Sequence, residues 1–182
     1  MKELSLNILD ITENSVKAGA TLTEILISES DTELTITVKD DGCGMSEETL
    51  RSVTNPFYTT RTTRSVGLGI PLLKLAAEQT GGRIELSSKL DDGVSADHGT
   101  VISAYFFKNH IDFTPLGDVI SSVTTLIQGH PDTDFLFIHK KENGEVRLDT
   151  RELREVLDGV PLNTYEVLKW IEESLEEQYG DL

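Results

Sequence analysis

The chain is poor in cysteine, in positive charge and in long apolar runs, and each shortage excludes something. One cysteine, Cys43, forms no internal disulfide, and a lone thiol is the usage expected of an intracellular, cytoplasmic protein. Sixteen Lys and Arg face 32 Asp and Glu, a net charge of -16, which argues against nucleic-acid binding because phosphate must be met by cations. No apolar stretch approaches the roughly 20 residues that cross a bilayer, and the Met-Lys-Glu start has no secretory character. Neither an internal repeat nor a zinc-ligand spacing nor a nucleophile elbow is visible. What remains is a globular chain of 182 residues, long enough for one ordinary domain with a small appendage. Its acidity is uneven: residues 1–110 hold 16 acidic and 10 basic side chains, residues 111–182 hold 16 and 6. Such a tail is a solvated surface or a docking face for a basic partner.

The informative stretch is residues 40–71. It opens with Asp40-Asp41-Gly42-Cys43-Gly44-Met45, passes Asn55-Pro56-Phe57-Tyr58-Thr59-Thr60-Arg61, and closes with Gly67-Leu68-Gly69-Ile70-Pro71. Upstream, Leu34-Thr35-Ile36-Thr37-Val38 alternates apolar and polar residues and reads as a half-buried strand. Downstream, Leu72, Leu73, Ala76 and Ala77 recur at helical spacing, and Pro71 suits a first helical turn. A strand therefore delivers Asp40 to a glycine turn, and a second glycine turn opens a helix. Glycines let a ligand approach the backbone closely, and free N–H groups at a helix start attract phosphate. The Thr- and Arg-rich segment between them is nearly free of carboxylates and suits a loop ordered by phosphate. Read alone, Asp40 could be an ordinary Asp-Gly turn; together these residues describe a nucleotide site.

Residues 3–18 read as a helix with Leu4, Ile8, Ile11 and Ser15 on one stripe and Asn7, Asp10, Asn14 and Lys17 on another. The polar row is either a solvated side or a wall of the nucleotide pocket.

Asp40-x-Gly42-x-Gly44 and Gly67-x-Gly69 resemble the two glycine boxes of the Bergerat-fold ATPases, which include histidine kinases, gyrase B, MutL and the large heat-shock chaperones. Residues 10–21 resemble the N box of MutL-type members, and Tyr58-Thr59-Thr60-Arg61 the lid of histidine kinases with arginine in the lysine place. Gly99-Thr100 is the fourth match. The resemblance covers about the first 110 residues and implies a two-layer α/β sandwich, an α+β fold with a mixed, mainly antiparallel sheet and helices on one face. It implies Mg-ATP as ligand, with Asn14 on Mg²⁺, Asp40 accepting from the adenine amino group, Thr100 beneath the base and Lys17 facing the phosphates. Gly42, Gly44, Met45, Tyr58, Thr59, Thr60, Arg61, Gly67, Leu68, Gly69 and Ile70 complete the expected ATP-binding set. Asp10 occupies the place of a catalytic glutamate, one methylene shorter. Proton transfer needs hydrogen-bond reach, and a misplacement of about 1 Å can cost roughly 10²-fold in rate.

Residues 111–182 lie outside the resemblance and read as a small α+β unit, regulatory or partner-binding. Helices are expected over about 115–128, from a capping box at Asp149-x-x-Glu152, and from another at Asn163-x-x-Glu166 to about residue 178. A strand over 134–139 leads through Glu142-Asn143-Gly144-Glu145 into Val146-Arg147-Leu148. The four histidines lie after the first boxes, and the N box starts within ten residues of Met1, which leaves no room ahead of it for a phosphoacceptor helix. The expectation is a protein that phosphorylates or regulates a partner in trans. The alternatives are a MutL-like hydrolase driving a conformational switch and a nucleotide sensor without catalysis.

Overall fold

Alternation of apolar and polar residues builds the sheet. In β1 (Leu22–Glu29) and β2 (Glu33–Asp40) every second side chain is buried, Ile25 and Ile27 from one, Leu34, Ile36 and Val38 from the other. They pair antiparallel, with Thr23 opposite Asp40. The computed structural model describes residues 2–53 and 68–182. The remaining strands are β3 (Arg83–Lys89), β4 (Gly99–Phe107), β5 (Asp134–Lys141) and β6 (Gly144–Asp149), in the sheet order β3-β4-β2-β1-β5-β6. Among the described strands only β1 and β5 run parallel; the other neighbours are antiparallel.

Against this sheet pack α1 (Leu4–Lys17), α3 (Gly69–Gln79), α4 (Val119–Gly129) and α6 (Tyr165–Gly180), while α2 (Glu47–Ser52) and α5 (Thr150–Leu157) are short. Contacts run from α3 to α1, α1 to α4 and α4 to α6, so α1 lies inside the helical layer. Leu4, Ile8, Ile11 and Ser15 are its buried row, facing the aliphatic core of β1 and β2. The result is an α+β two-layer sandwich. Phe135, Phe137 and Val146 of the last two strands share one core with Ile25, Leu4 and Val123.

Two helix starts depart from expectation, and a third does not. The helix α4 begins at Val119, not near residue 115, because Gly117 turns the chain at φ 77° and Asp118 caps the helix by accepting from the Ser121 N–H. The carbonyls of Pro115 and Leu116 instead accept from the Leu4 and Ser5 N–H groups at 2.9 and 2.8 Å, satisfying donors at the start of α1. In α6 the N-cap is Thr164, so the box expected at Asn163 and Glu166 is displaced by one residue and does not form. In α3 the first residue is Gly69, and Pro71 still falls in the first turn, where no N–H is required.

Candidate functional site

Strand β2 ends at Asp40, and the chain turns at once beneath the C-terminal half of α1. Asp40 Oδ1 accepts from the Gly42 N–H at 2.9 Å and Oδ2 accepts from the Ser15 hydroxyl at 2.7 Å. The carboxylate is thus fixed in orientation by one donor on each oxygen, while each oxygen keeps a lone pair for a further donor. The turn is itself pinned. The Cys43 N–H donates to Ala18 O at 2.9 Å, and Asp41 accepts from the Thr21 and Leu22 N–H groups and the Thr21 hydroxyl. Burial would raise the Asp41 pKa, but those donors outweigh it and hold the carboxyl below its usual range.

Glycine is required where the turn meets its neighbours. A Cβ on Gly44, at φ 68°, would lie 2.0 Å from Lys89 O, and one on Gly99 would lie 2.0 Å from Asp40 O. Behind the turn, the Ser88 hydroxyl receives the Met45 N–H at 2.8 Å and lies 2.8 Å from Thr100 Oγ1. His98 Nδ1 lies 2.7 Å from Gly42 O. That carbonyl, then Asp91, Asp41 and Asp92, outweigh desolvation and raise the His98 pKa.

These elements enclose a cleft of about 230 Å³ lined by Ile11, Asn14, Ser15, Lys17, Ala18, Asp40, Gly44, Met45, Ile70, Thr100 and Ile102. Seven of the residues singled out in the sequence meet there: Asn14, Lys17, Asp40, Gly44, Met45, Ile70 and Thr100. Gly42 is buried beside it against Ala18. Leu68 is exposed at the start of α3, and Gly69 is buried next to α1, where an added Cβ would come within 3.1 Å of Asp10 Cβ. Asp10 is exposed and is not among the residues lining the cleft. Tyr58, Thr59, Thr60, Arg61 and Gly67 lie outside the described residues.

The polar row of α1 divides. Asn7 shares an azimuth with Asn14 but stands two turns away, about 10.5 Å along the axis. It is buried in a separate small cavity with Leu72, Leu75, Ala76, Gln79 and Thr114. Ser15, Ser88, Asp41 and His98 were not singled out as site residues. A serine in the otherwise aliphatic row Leu4-Ile8-Ile11 was the available signal for Ser15. Ser88 required the register that sets it opposite Thr100.

The chemistry of the lining suits a flat base with an amino group. Ile11, Met45, Ile70 and Ile102 supply apolar surface, Asp40 an acceptor, and Lys17 a cation at the exposed side. Among the described residues no cluster of His, Cys, Asp or Glu could hold a metal by itself. Mg²⁺, which keeps waters and substrate oxygens, needs no such cage, and the amide oxygen of Asn14 fits as a single protein ligand.

Sheet order and helix layer define the class, a two-layer α+β sandwich with a glycine-bounded cleft. Residues 2–110 match the family described as histidine kinase-, DNA gyrase B-, and HSP90-like ATPase, and the chain belongs to that family. Among curated relatives, the C4-dicarboxylate transport sensor protein DctB of Pseudomonas aeruginosa is 34% identical over 70 residues, covering 38% of this chain and 11% of that protein. Sporulation kinase C of Bacillus subtilis is 28% identical over 93 residues, 51% of this chain and 21% of that protein. The chain thus spans a small part of these relatives' own length. Among solved structures, the Aquifex aeolicus MutL ATPase domain complexed with ADP superposes with a TM-score of 0.54 at 17% identity, over 87% of this chain and 70% of that one. The N-terminal domain of a DNA repair protein gives 0.56 at 14% identity, over 82% of this chain and 53% of that one. At such identities the likeness is one of fold. Among the described residues no helix is long and apolar enough to cross a membrane.

Proposed function

We propose that this chain binds Mg-ATP in the cleft and uses it to phosphorylate or regulate a separate protein, with residues 111–182 engaging that partner. ATP binding is implied by the family. Asp40 accepts from the adenine amino group, held in place by Ser15 and Gly42, while Thr100 and Ser88 carry the hydrogen bonding behind it. Asn14 ligates the metal through its amide oxygen, and the Lys17 ammonium offsets phosphate charge in a chain that is otherwise acidic. ATP supplies the phosphoryl group.

The observation that favours transfer over hydrolysis is Lys17 on the cleft lining with Asn14, a cation available to the phosphates, while Asp10 stands one helical turn before Asn14, exposed beside Gly69. A base for hydrolysis must reach its water at about 3 Å. The sensor and kinase names of the curated relatives point the same way.

Incubation with γ-labelled ATP and Mg²⁺, alone and with lysate fractions, tests the reading. Label on another protein is expected. Free phosphate alone would favour a hydrolase, and tight binding without turnover a sensor.

A further inference from the structure

The outer face of α6 is an exposed surface that the cleft does not explain. Val167, Ile171 and Leu175, at i, i+4 and i+8, are buried, and the helix packs on α4 and β6. Away from that row, Tyr165 is 73% exposed and Trp170, the single tryptophan of the chain, 53%. Trp170 stands in a strip with Glu166 four residues before it and Glu173 and Glu177 three and seven after it. Glu172 and Glu176 are exposed on the same helix, and Lys169, 3.7 Å from Glu173, is its one basic residue. The arginines of neighbouring elements do not offset this charge. Arg147 is held by Glu152, Arg151 by Asp149 and Arg154 by Asp134.

A solvated helix face accounts for the glutamates and leaves the aromatic rings unexplained. Exposed Trp and Tyr are the residue types that anchor interfaces, and their ring faces attract Lys and Arg as well as apolar groups. We infer that this face docks a partner protein through a basic amphipathic segment. An apolar side chain of the segment packs on Trp170, and its Lys and Arg meet Glu166, Glu173 and Glu177. The inference rests on the reading that residues 111–182 engage a partner, and adds the surface and the partner's chemistry. The face belongs to the β6 end of the sheet, whereas the cleft lies by α1, β2 and β4, so docking leaves the cleft open.

Trp170 is its own reporter. The probe is a synthetic helical peptide with Leu on one face and Lys and Arg on the other, titrated into the full chain. A scrambled peptide of the same composition and spermine serve as controls. Tryptophan emission is expected to shift to the blue with the amphipathic peptide only. Anisotropy of the labelled peptide should show about 10-fold or more weaker binding to Trp170→Ala and to a Glu166→Lys, Glu173→Lys double variant. Equal affinity in either variant, an unmoved emission, or the same response to the scrambled peptide or spermine would overturn the inference. Mg-ATP titration of the same samples separates the two readings. Lost nucleotide binding with an intact peptide response defeats the proposed function alone, and the reverse defeats this inference alone.

Discussion

The Ser15 hydroxyl donates to Asp40 Oδ2 at 2.7 Å, tying the helix that carries Asn14 and Lys17 to the strand end from which the glycine turn departs. A hydrogen bond to a charged acceptor contributes about 1.5–3 kcal/mol, and here it also orients the carboxylate. Ser15→Ala is therefore expected to weaken ATP binding roughly 10-fold and to lower the unfolding temperature by about 3 °C or more. Calorimetric titration checks this; an unchanged affinity would mean that Gly42 alone positions Asp40.

Gly44 and Gly93 both have positive φ, 68° and 71°, but only Gly44 faces backbone, with Lys89 O 2.0 Å from an added Cβ. Gly44→Ala should cost more than about 2 kcal/mol, enough to lower the melting temperature by about 5 °C or more. Gly93→Ala, with nothing within 4 Å, should cost about 1 kcal/mol or less. Comparable losses by thermal unfolding would contradict the steric account.

Asp10→Asn separates transfer from hydrolysis. For a chain that transfers rather than hydrolyses, label transfer and phosphate release are expected to change by less than about threefold. A loss near 10²-fold in phosphate release would give Asp10 the role of base and favour the hydrolase.

His139 is buried between β1 and α6, with Nε2 3.0 Å from a Glu29 carboxylate oxygen and Nδ1 2.7 Å from the Tyr179 hydroxyl. Burial lowers its pKa more than Glu29 raises it, and Lys141 and Lys108 add to the lowering. As pH falls, the unfolded chain then takes up the proton first. The contribution of His139 to stability is full above its ordinary pKa of about 6.5 and is lost as pH drops through the lowered folded value. The melting temperature should fall between pH 7 and 5.5, and His139→Gln should flatten that slope. An unaltered slope would place the acid sensitivity elsewhere.

Much of the fold was legible in the residues, for physical reasons. The strand before Asp40 alternates cleanly, and Leu4, Ile8 and Ile11 mark a buried helix row, because each buries one face on the same core. What local pattern could not show were interactions made across the chain. The 115–118 segment reads as helical, yet two of its carbonyls serve the first turn of α1. Ser15 reads as one more small member of a buried stripe until Asp40, 25 residues later, is set beside it. The Asn7, Asp10, Asn14 and Lys17 row looks continuous by angle, but a helix advances along its axis as it turns, so the row crosses from one cavity to another.

Calorimetric titration of Mg-ATP into the intact chain and into Asp40→Asn bears most directly on the central claim that the Asp40 carboxylate reads the adenine. Replacing one acceptor oxygen by an amide donor leaves the base's amino group facing a donor, which should weaken binding by about 10²-fold or more while the fold persists. Equal heats and equal affinities for the two proteins would contradict it.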